Sequence, residues 1–206
     1  MSVVSSDLGV CLIGDSMGDR GQFFPPELRL LAPHSRVFGR AVPVGGAPGD
    51  NLGLHEAVYA CDPGGVIVFD GGGDARFGYW GEILTTAALH RRVGGAVVFG
   101  GVRDSVAVAE AGFPIVCFGP NPRQAAKKVP GALNVPIEVG SCTVRPGDLV
   151  VADDDGALVL QREHVHDVLE AAIARSEWEE QVLREVSSGK TTLDVLGVPR
   201  RAPAAQ

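Results

Sequence analysis

The chain has 206 residues, 45% of them hydrophobic and 21% charged, a size and balance suited to one soluble globular domain with its own core. A net charge of −7, with no basic cluster beyond Lys127-Lys128, argues against nucleic acid or an acidic membrane as partner. There is no membrane-length apolar run and no basic leader at the amino terminus. A cytoplasmic protein is therefore expected, and the scattered Cys11, Cys61, Cys117 and Cys142 read as buried free thiols.

Residues 8–13 form a short apolar run, and Gly14-Asp15-Ser16 reads as a turn or cap. Residues 21–33 read as loop, because Pro25-Pro26 excludes helix and central strand. Residues 37–44 alternate like a strand, with Pro43 at an edge or end. Asp50 is placed to cap a helix over 51–60. The run GGVIVFDGGG at 64–73 predicts a buried strand closed by three glycines.

Residues 82–89 predict a helix with Ile83, Leu84, Ala87 and Ala88 on one face. Gly94-Gly95 should end it, and 96–99 should return as a buried strand. Residues 105–111 suit a short helix stopped by Gly112, followed by a strand over 115–118. Beyond 119 short strands dominate, including a hairpin around Asp155-Gly156.

A last helix is expected over 163–186, its apolar stripe running from Val165 through Val168, Leu169, Ala172 and Ile173 to Val182, Leu183 and Val186. Glu179 and Glu180 fall within or beside that stripe, which fits either a solvated middle or an interface. The pattern predicts a single layered β/β/α domain over 1–197 rather than a doubly wound sheet. A disordered tail over 198–206 is expected.

The chemistry concentrates between Trp80 and Asp104. Strand, helix and strand make a parallel crossover unit, so Gly81-Glu82 and Arg103-Asp104 converge at one rim, where open α/β sheets bind ligands. The free N–H groups of the helix's first turn can seat a carboxylate, and the Arg103 fork can hold a second face of it. Asp104 offers a hard oxygen to Mg²⁺ or Mn²⁺, and Glu82 can reach the metal's waters. An Arg-Asp pair after a strand also serves as a salt-bridged corner, and a Glu at a helix start complements the dipole. These residues alone leave both readings open.

Other candidates fall away. His164 and His166 are two apart on a helix and cannot share a metal. Asn51 and His55 share a helix face near the glycine-rich loops, where a structural cap role is favoured over lining a pocket. Gly71-Gly72-Gly73 is not a dinucleotide fingerprint, and no Ser sits in a GxSxG elbow. The three lysines, Lys127, Lys128 and Lys190, lie in polar contexts unsuited to a Schiff base, which needs a desolvated amine.

The order WGE, then 20 residues, then Arg-Asp closely resembles the RraA-like family, which includes class II 4-hydroxy-4-methyl-2-oxoglutarate aldolases and oxaloacetate decarboxylases. PGDNLGLHEAV at 48–58, FDGGGD at 69–74, GFPIVCFGPNPR at 112–123 and VRPGDLVVADDDGALVL at 144–160 extend the likeness from Leu8 to about Gly197.

The resemblance implies a swivelling-domain-like fold and a Mg²⁺- or Mn²⁺-dependent lyase that releases pyruvate from a 4-hydroxy-2-oxo acid, with oxaloacetate decarboxylation as a companion activity. In it Asp104 binds the metal directly and Glu82 reaches it through water. Arg103 holds the pyruvyl oxygens, and the backbone of Gly81, Glu82, Ile83 and Leu84 holds the carboxylate. A trimer or hexamer is implied, with Glu179, or Glu180 in second place, approaching a neighbour's metal through water. Family aldolases commonly carry an acid where this chain has Ala107, which puts the preferred substrate in question. The same family includes non-catalytic regulators that bind and inhibit a ribonuclease.

Overall fold

A computed structural model describes residues 7–199; the expected tail beyond Pro199 lies outside the described residues. Helix α1 (Val10–Met17) stands where a turn was expected at Gly14-Asp15-Ser16. Val10, Ile13 and Met17 recur at helical spacing and are buried, which outweighs the ~1 kcal/mol propensity cost of Gly14. The carboxylate of Asp153 accepts the Val10 N–H at 2.7 Å, capping this helix from far along the chain. The proline segment is not all loop: β1 (Gly21–Phe23) and β2 (Arg29–Leu30) flank Pro25-Pro26.

The middle of the chain alternates strand and helix: β3 (Val37–Gly45), α2 (Leu52–Ala60), β4 (Val66–Trp80), α3 (Glu82–His90), β5 (Gly95–Val102), α4 (Ser105–Glu110) and β6 (Ile115–Cys117). Short strands follow, as expected: β7 (Ala132–Leu133), β8 (Ile137–Val139), β9 (Cys142–Val144), β10 (Leu149–Asp153) and β11 (Gly156–Leu160). The chain then turns into α5 (Val165–Ser187) and α6 (Thr192–Val195).

Neighbours from β3 to β6 are parallel, whereas β10, β11 and β1 extend the sheet antiparallel on one side and β2 on the other. β1 and β2 end the strand order at opposite sides, yet only residues 24–28 join them, so the sheet must curl towards closure. Pro43 lies past the β10 pairing, opposite Val68 of β4. It therefore removes no ladder bond to β10.

Period-2 alternation explains the continuous apolar runs, since both faces of these strands are covered. Val66 and Val68 of β4 point into the curled sheet with Val97, Val150 and Val159. Ile67 and Phe69 point out to Leu54 and Val58 of α2 and to Leu84 and Ala88 of α3. Leu149 and Val151 of β10 face outward in a third cluster with Ile13 of α1 and Val168 of α5. The result is a mixed α/β fold of layered sheet and helices.

Three boundaries and the exposure of one cysteine differ from expectation. β4 does not stop at the glycines but runs to Trp80 through register shifts against β5; Gly72 and Gly73, at φ 72° and 69°, let it bulge rather than end. α3 ends at His90 and Arg92 takes φ 60°, so the helix stops before Gly94-Gly95. The hairpin turns at Asp154-Asp155, because Asp153 already pairs with Gly156. Cys11 is exposed, whereas Cys61, Cys117 and Cys142 are buried, and burial pushes those three thiols up to about 11. They are inert as nucleophiles near neutral pH.

On α5 only Val168 and Ala172 are fully buried. Trp178 and Leu183 are exposed, as are Leu193, Leu196 and Val198 beyond them. No helix among the described residues is long and apolar enough to cross a membrane.

Candidate active site

Because β4 and β5 are parallel, with Trp80 opposite Val102, both release the chain at one rim. Trp80 is fully buried, stacked on Phe113 with ring centroids 5.3 Å apart. Its indole N–H donates to Thr85 Oγ1 at 2.8 Å, fixing α3 to the strand end. The Arg103 N–H donates to the Trp80 carbonyl at 2.7 Å. Between them, Gly81 leaves no room for a side chain: a Cβ there would stand 2.6 Å from Asp104 Oδ2 and 2.8 Å from Arg103 Cγ. Glycine is required here by close approach, since its backbone is extended (φ −162°).

Asp104 sits at φ 54°, ψ 37°, a left-handed conformation uncommon for non-glycine residues and one that Asp and Asn tolerate better than most. It precedes α4 without capping it. Its carboxylate turns instead to the start of α3: Oδ2 accepts the Glu82 N–H and Oδ1 accepts Arg103 Nε, each at 3.2 Å. The salt-bridged corner therefore exists, but both side chains are over a third exposed. Such pairs contribute about 0–1 kcal/mol. Left-handed residues other than glycine collect at functional sites.

A cavity of about 300 Å³ opens at this rim, lined by Gly81, Ile83, Leu84, Arg103 and Asp104 among others. Three of the expected residues, Gly81, Ile83 and Leu84, come together with the Arg-Asp pair as the parallel strands require. Two expected residues do not join them within one chain. The side chain of Glu82 is absent from the lining and borders an adjoining depression with Ile83, Thr86 and His90. Ile83 itself is 81% exposed rather than part of the helix's core face, because Leu84, Thr85 and Ala88 take that face. Glu179 is ion-paired with Arg175 at 3.1 Å, on a helix that packs against α1. Ala107 is half-buried on α4 and does not line the cavity.

The structure adds Asn51, His55, Tyr79, Gln124 and Lys127 to the wall. Asp50 brings several of them there. Its Oδ1 accepts the Leu52 N–H at 2.9 Å, which starts α2 one residue later than expected. Its Oδ2 accepts the N–H groups of Lys128 and Val129 at 2.8 and 3.2 Å, clamping the loop that carries Lys127. Burial would raise this carboxyl, but the three N–H donors outweigh it and hold it below its ordinary value.

Asn51 does not cap α2 through its side chain. Its amide donates to the Tyr79 carbonyl at 2.6 Å, while the Tyr79 hydroxyl accepts the Gly49 N–H at 2.9 Å and donates to the Gly71 carbonyl at 3.2 Å. His55 is lowered from its ordinary pKa by burial and then by the nearby Lys127 charge. The favoured cap role for Asn51 and His55 thus gives way to lining the cavity. The i, i+4 spacing of an amide and an imidazole beside a Gly-Asp turn was the available signal.

Among the described residues no group of three or more His, Cys, Asp or Glu could hold a metal ion. The donor set still fits Mg²⁺ or Mn²⁺, which bind through one or two carboxylates and complete their shell with substrate and water. Asp104 is the one carboxylate at the cavity wall.

Fold and rim together define a mixed α/β protein with a small cavity where a parallel strand meets a helix amino terminus. A family model described as RraA-like, Aldolase/RraA, matches residues 10–159, and the chain belongs to the RraA-like family. It is 36% identical over 160 residues to a protein of Halalkalibacterium halodurans provisionally named a 4-hydroxy-4-methyl-2-oxoglutarate aldolase, covering 78% of this chain and 76% of that one. Among solved structures, an uncharacterized protein from Pseudomonas syringae superposes with a TM-score of 0.82 at 26% identity, covering 92% of each chain. RraAS2 of Streptomyces coelicolor, described as an unusual member of the RNase ES inhibitor RraA protein family, gives 0.78 at 28% identity over 90% of this chain and 93% of that one.

Proposed function

We propose that this protein is a divalent-metal-dependent lyase releasing pyruvate from a 4-hydroxy-2-oxo acid of the 4-hydroxy-4-methyl-2-oxoglutarate type, and from oxaloacetate by decarboxylation. The observation that carries this reading is the left-handed Asp104 beside Arg103, facing the amino terminus of α3 across a small cavity.

In this reading the substrate carboxylate rests on the backbone N–H groups of Gly81, Glu82, Ile83 and Leu84, taking the place of Asp104 Oδ2 at the Glu82 N–H, where the dipole favours an anion. Arg103 holds the 2-oxo oxygen, and its fixed charge stabilises the enolate as it forms. When bound at Asp104, Mg²⁺ or Mn²⁺ supplies Lewis-acid stabilisation of the same charge. In the aldol cleavage the C4 hydroxyl loses its proton, the C3–C4 bond breaks and its electron pair enters the pyruvate enolate, which then takes a proton at C3. Decarboxylation forms the same enolate with CO₂ as the other product. Glu82 serves this proton traffic through water from beside the cavity.

The uncovered apolar residues Trp178 and Leu183 on α5 support a closed homo-oligomer, a trimer or hexamer. Glu179 of one copy would then approach the Asp104 site of the next. Mixing Asp104→Ala with Glu179→Ala protein should restore activity if sites are shared between copies, and none if they are not. A cytoplasmic setting agrees with four unpaired cysteines.

The likeness to RraAS2 supports a second reading, a regulator that binds a ribonuclease without catalysis. Pyruvate release with and without Mg²⁺ decides between them: metal-dependent turnover of either acid supports the lyase, and no turnover supports the regulator. Oxalate, a planar mimic of the enolate, should inhibit the lyase. Arg103→Lys should weaken oxalate about 10- to 100-fold, the ~1.5–3 kcal/mol of a hydrogen bond to a charged group. Equal affinity in both proteins would remove Arg103 from the site.

A further inference from the structure

Two polar atoms on the α2 side of the cavity lack partners. Asn51 is 6% exposed, and its Oδ1 has no hydrogen bond; neither does Nε2 of His55. Both atoms are shut off from bulk solvent, although both side chains line the cavity. The Asn51 orientation is set by chemistry: the Tyr79 carbonyl only accepts, so the amide nitrogen must face it and Oδ1 must face away. Buried polar groups are nearly all paired in folded proteins, and two orphans on one cavity wall call for a ligand.

The type of ligand group follows from the atoms. An amide oxygen only accepts, so it disfavours a carboxylate and needs a donor. His55 is kept neutral by burial and by Lys127, and one nitrogen of a neutral imidazole accepts while the other donates. Arg103 and Lys127, by contrast, suit carboxylate oxygens. A hydroxyl both donates and accepts, and so satisfies this wall.

We infer that Asn51 and His55 bind the hydroxyl-bearing end of the substrate and set a preference for 4-hydroxy-2-oxo acids over oxaloacetate, which has no hydroxyl to offer in its keto form. This rests on the lyase reading above. It gives α2 a specificity role separate from the Arg103-Asp104 chemistry.

The test compares kcat/KM for 4-hydroxy-4-methyl-2-oxoglutarate and for oxaloacetate in wild type, His55→Phe and His55→Gln, all with Mg²⁺. Phenylalanine keeps the ring volume and removes both nitrogens, and glutamine returns a polar group. The ratio of the hydroxy acid to oxaloacetate should fall about tenfold or more in His55→Phe, the scale of one lost hydrogen bond, and recover in part in His55→Gln. An unchanged ratio, including equal losses on both acids, overturns the inference and leaves the lyase reading standing. Wild-type protein active on oxaloacetate alone overturns it as well. Wild-type protein inert on both acids overturns the lyase reading and this inference with it.

Discussion

Two cavities lie at opposite ends of β4 and differ in opposite directions in size and chemistry. The one of about 770 Å³ lies where the strand begins, lined by Gly64 and Gly65 with Phe38, Val42, Leu133 and Leu169. The one of about 300 Å³ lies where the strand ends, lined by Arg103, Asp104, Asn51 and His55. Direction along the strand explains the contrast. The larger cavity meets both the carboxyl end of α2, at Ala60, and the amino end of α5, at Val165, with Asp62 and Arg40 both on its wall, so charges and dipoles of both signs offset one another there. The smaller meets the amino end of α3, where backbone N–H groups favour an anion. Volume therefore points to one end of the strand, and unpaired polar atoms, the left-handed Asp104 and charge point to the other.

Three changes would break or sharpen this contrast. The largest effect is expected from Asp104→Asn. Asparagine tolerates the left-handed conformation at this position, so the substitution removes the charge without adding backbone strain, as Asp104→Ala would. Pyruvate release from oxaloacetate with Mg²⁺ should fall at least about a thousandfold, the upper range for one electrostatic group at a reacting centre, with an unchanged melting temperature. Retained activity would place the chemistry elsewhere.

Gly81→Ala should act less strongly. Its new Cβ must displace Asp104 Oδ2 and Arg103 Cγ, and a misplacement near 1 Å costs up to about a hundredfold in rate. The same crowding should lower stability by about 1–3 kcal/mol. Thermal melts and steady-state assays on one preparation measure both, and wild-type kinetics would show that the rim is loose.

The smallest effect concerns pH. The folded pKa of His55 lies below its ordinary 6.5. Below 6.5 the unfolded chain therefore takes up a proton that the folded chain refuses, and stability is lost as pH falls. His55→Gln should lose less melting temperature than wild type between pH 7 and pH 5. Identical losses would mean that the imidazole is not held neutral.

How much of this was legible in the sequence follows the same division. The βαβ step, the convergence of Gly81 with Arg103-Asp104 and the layered fold could be read because apolar runs and short connections fix them locally. The remainder of the wall could not. Lys127 reaches the cavity only because Asp50 binds the backbone of Lys128 and Val129, a contact across some 78 residues that no local pattern encodes. Asn51 turns from its cap position to the Tyr79 carbonyl for the same long-range reason. β4 passed its three glycines because pairing with β5 persisted through bulges, where glycine runs read locally as a stop.

The most direct test asks which end of β4 an enolate mimic chooses. Amide NMR shifts on adding oxalate with Mg²⁺ should concentrate at Glu82, Ile83 and Leu84 and at Arg103 and Asp104, leaving Phe38, Val42 and Leu169 unmoved. Shifts centred on the larger cavity, or none at saturating oxalate, would contradict the assignment of the site to the carboxyl end of β4.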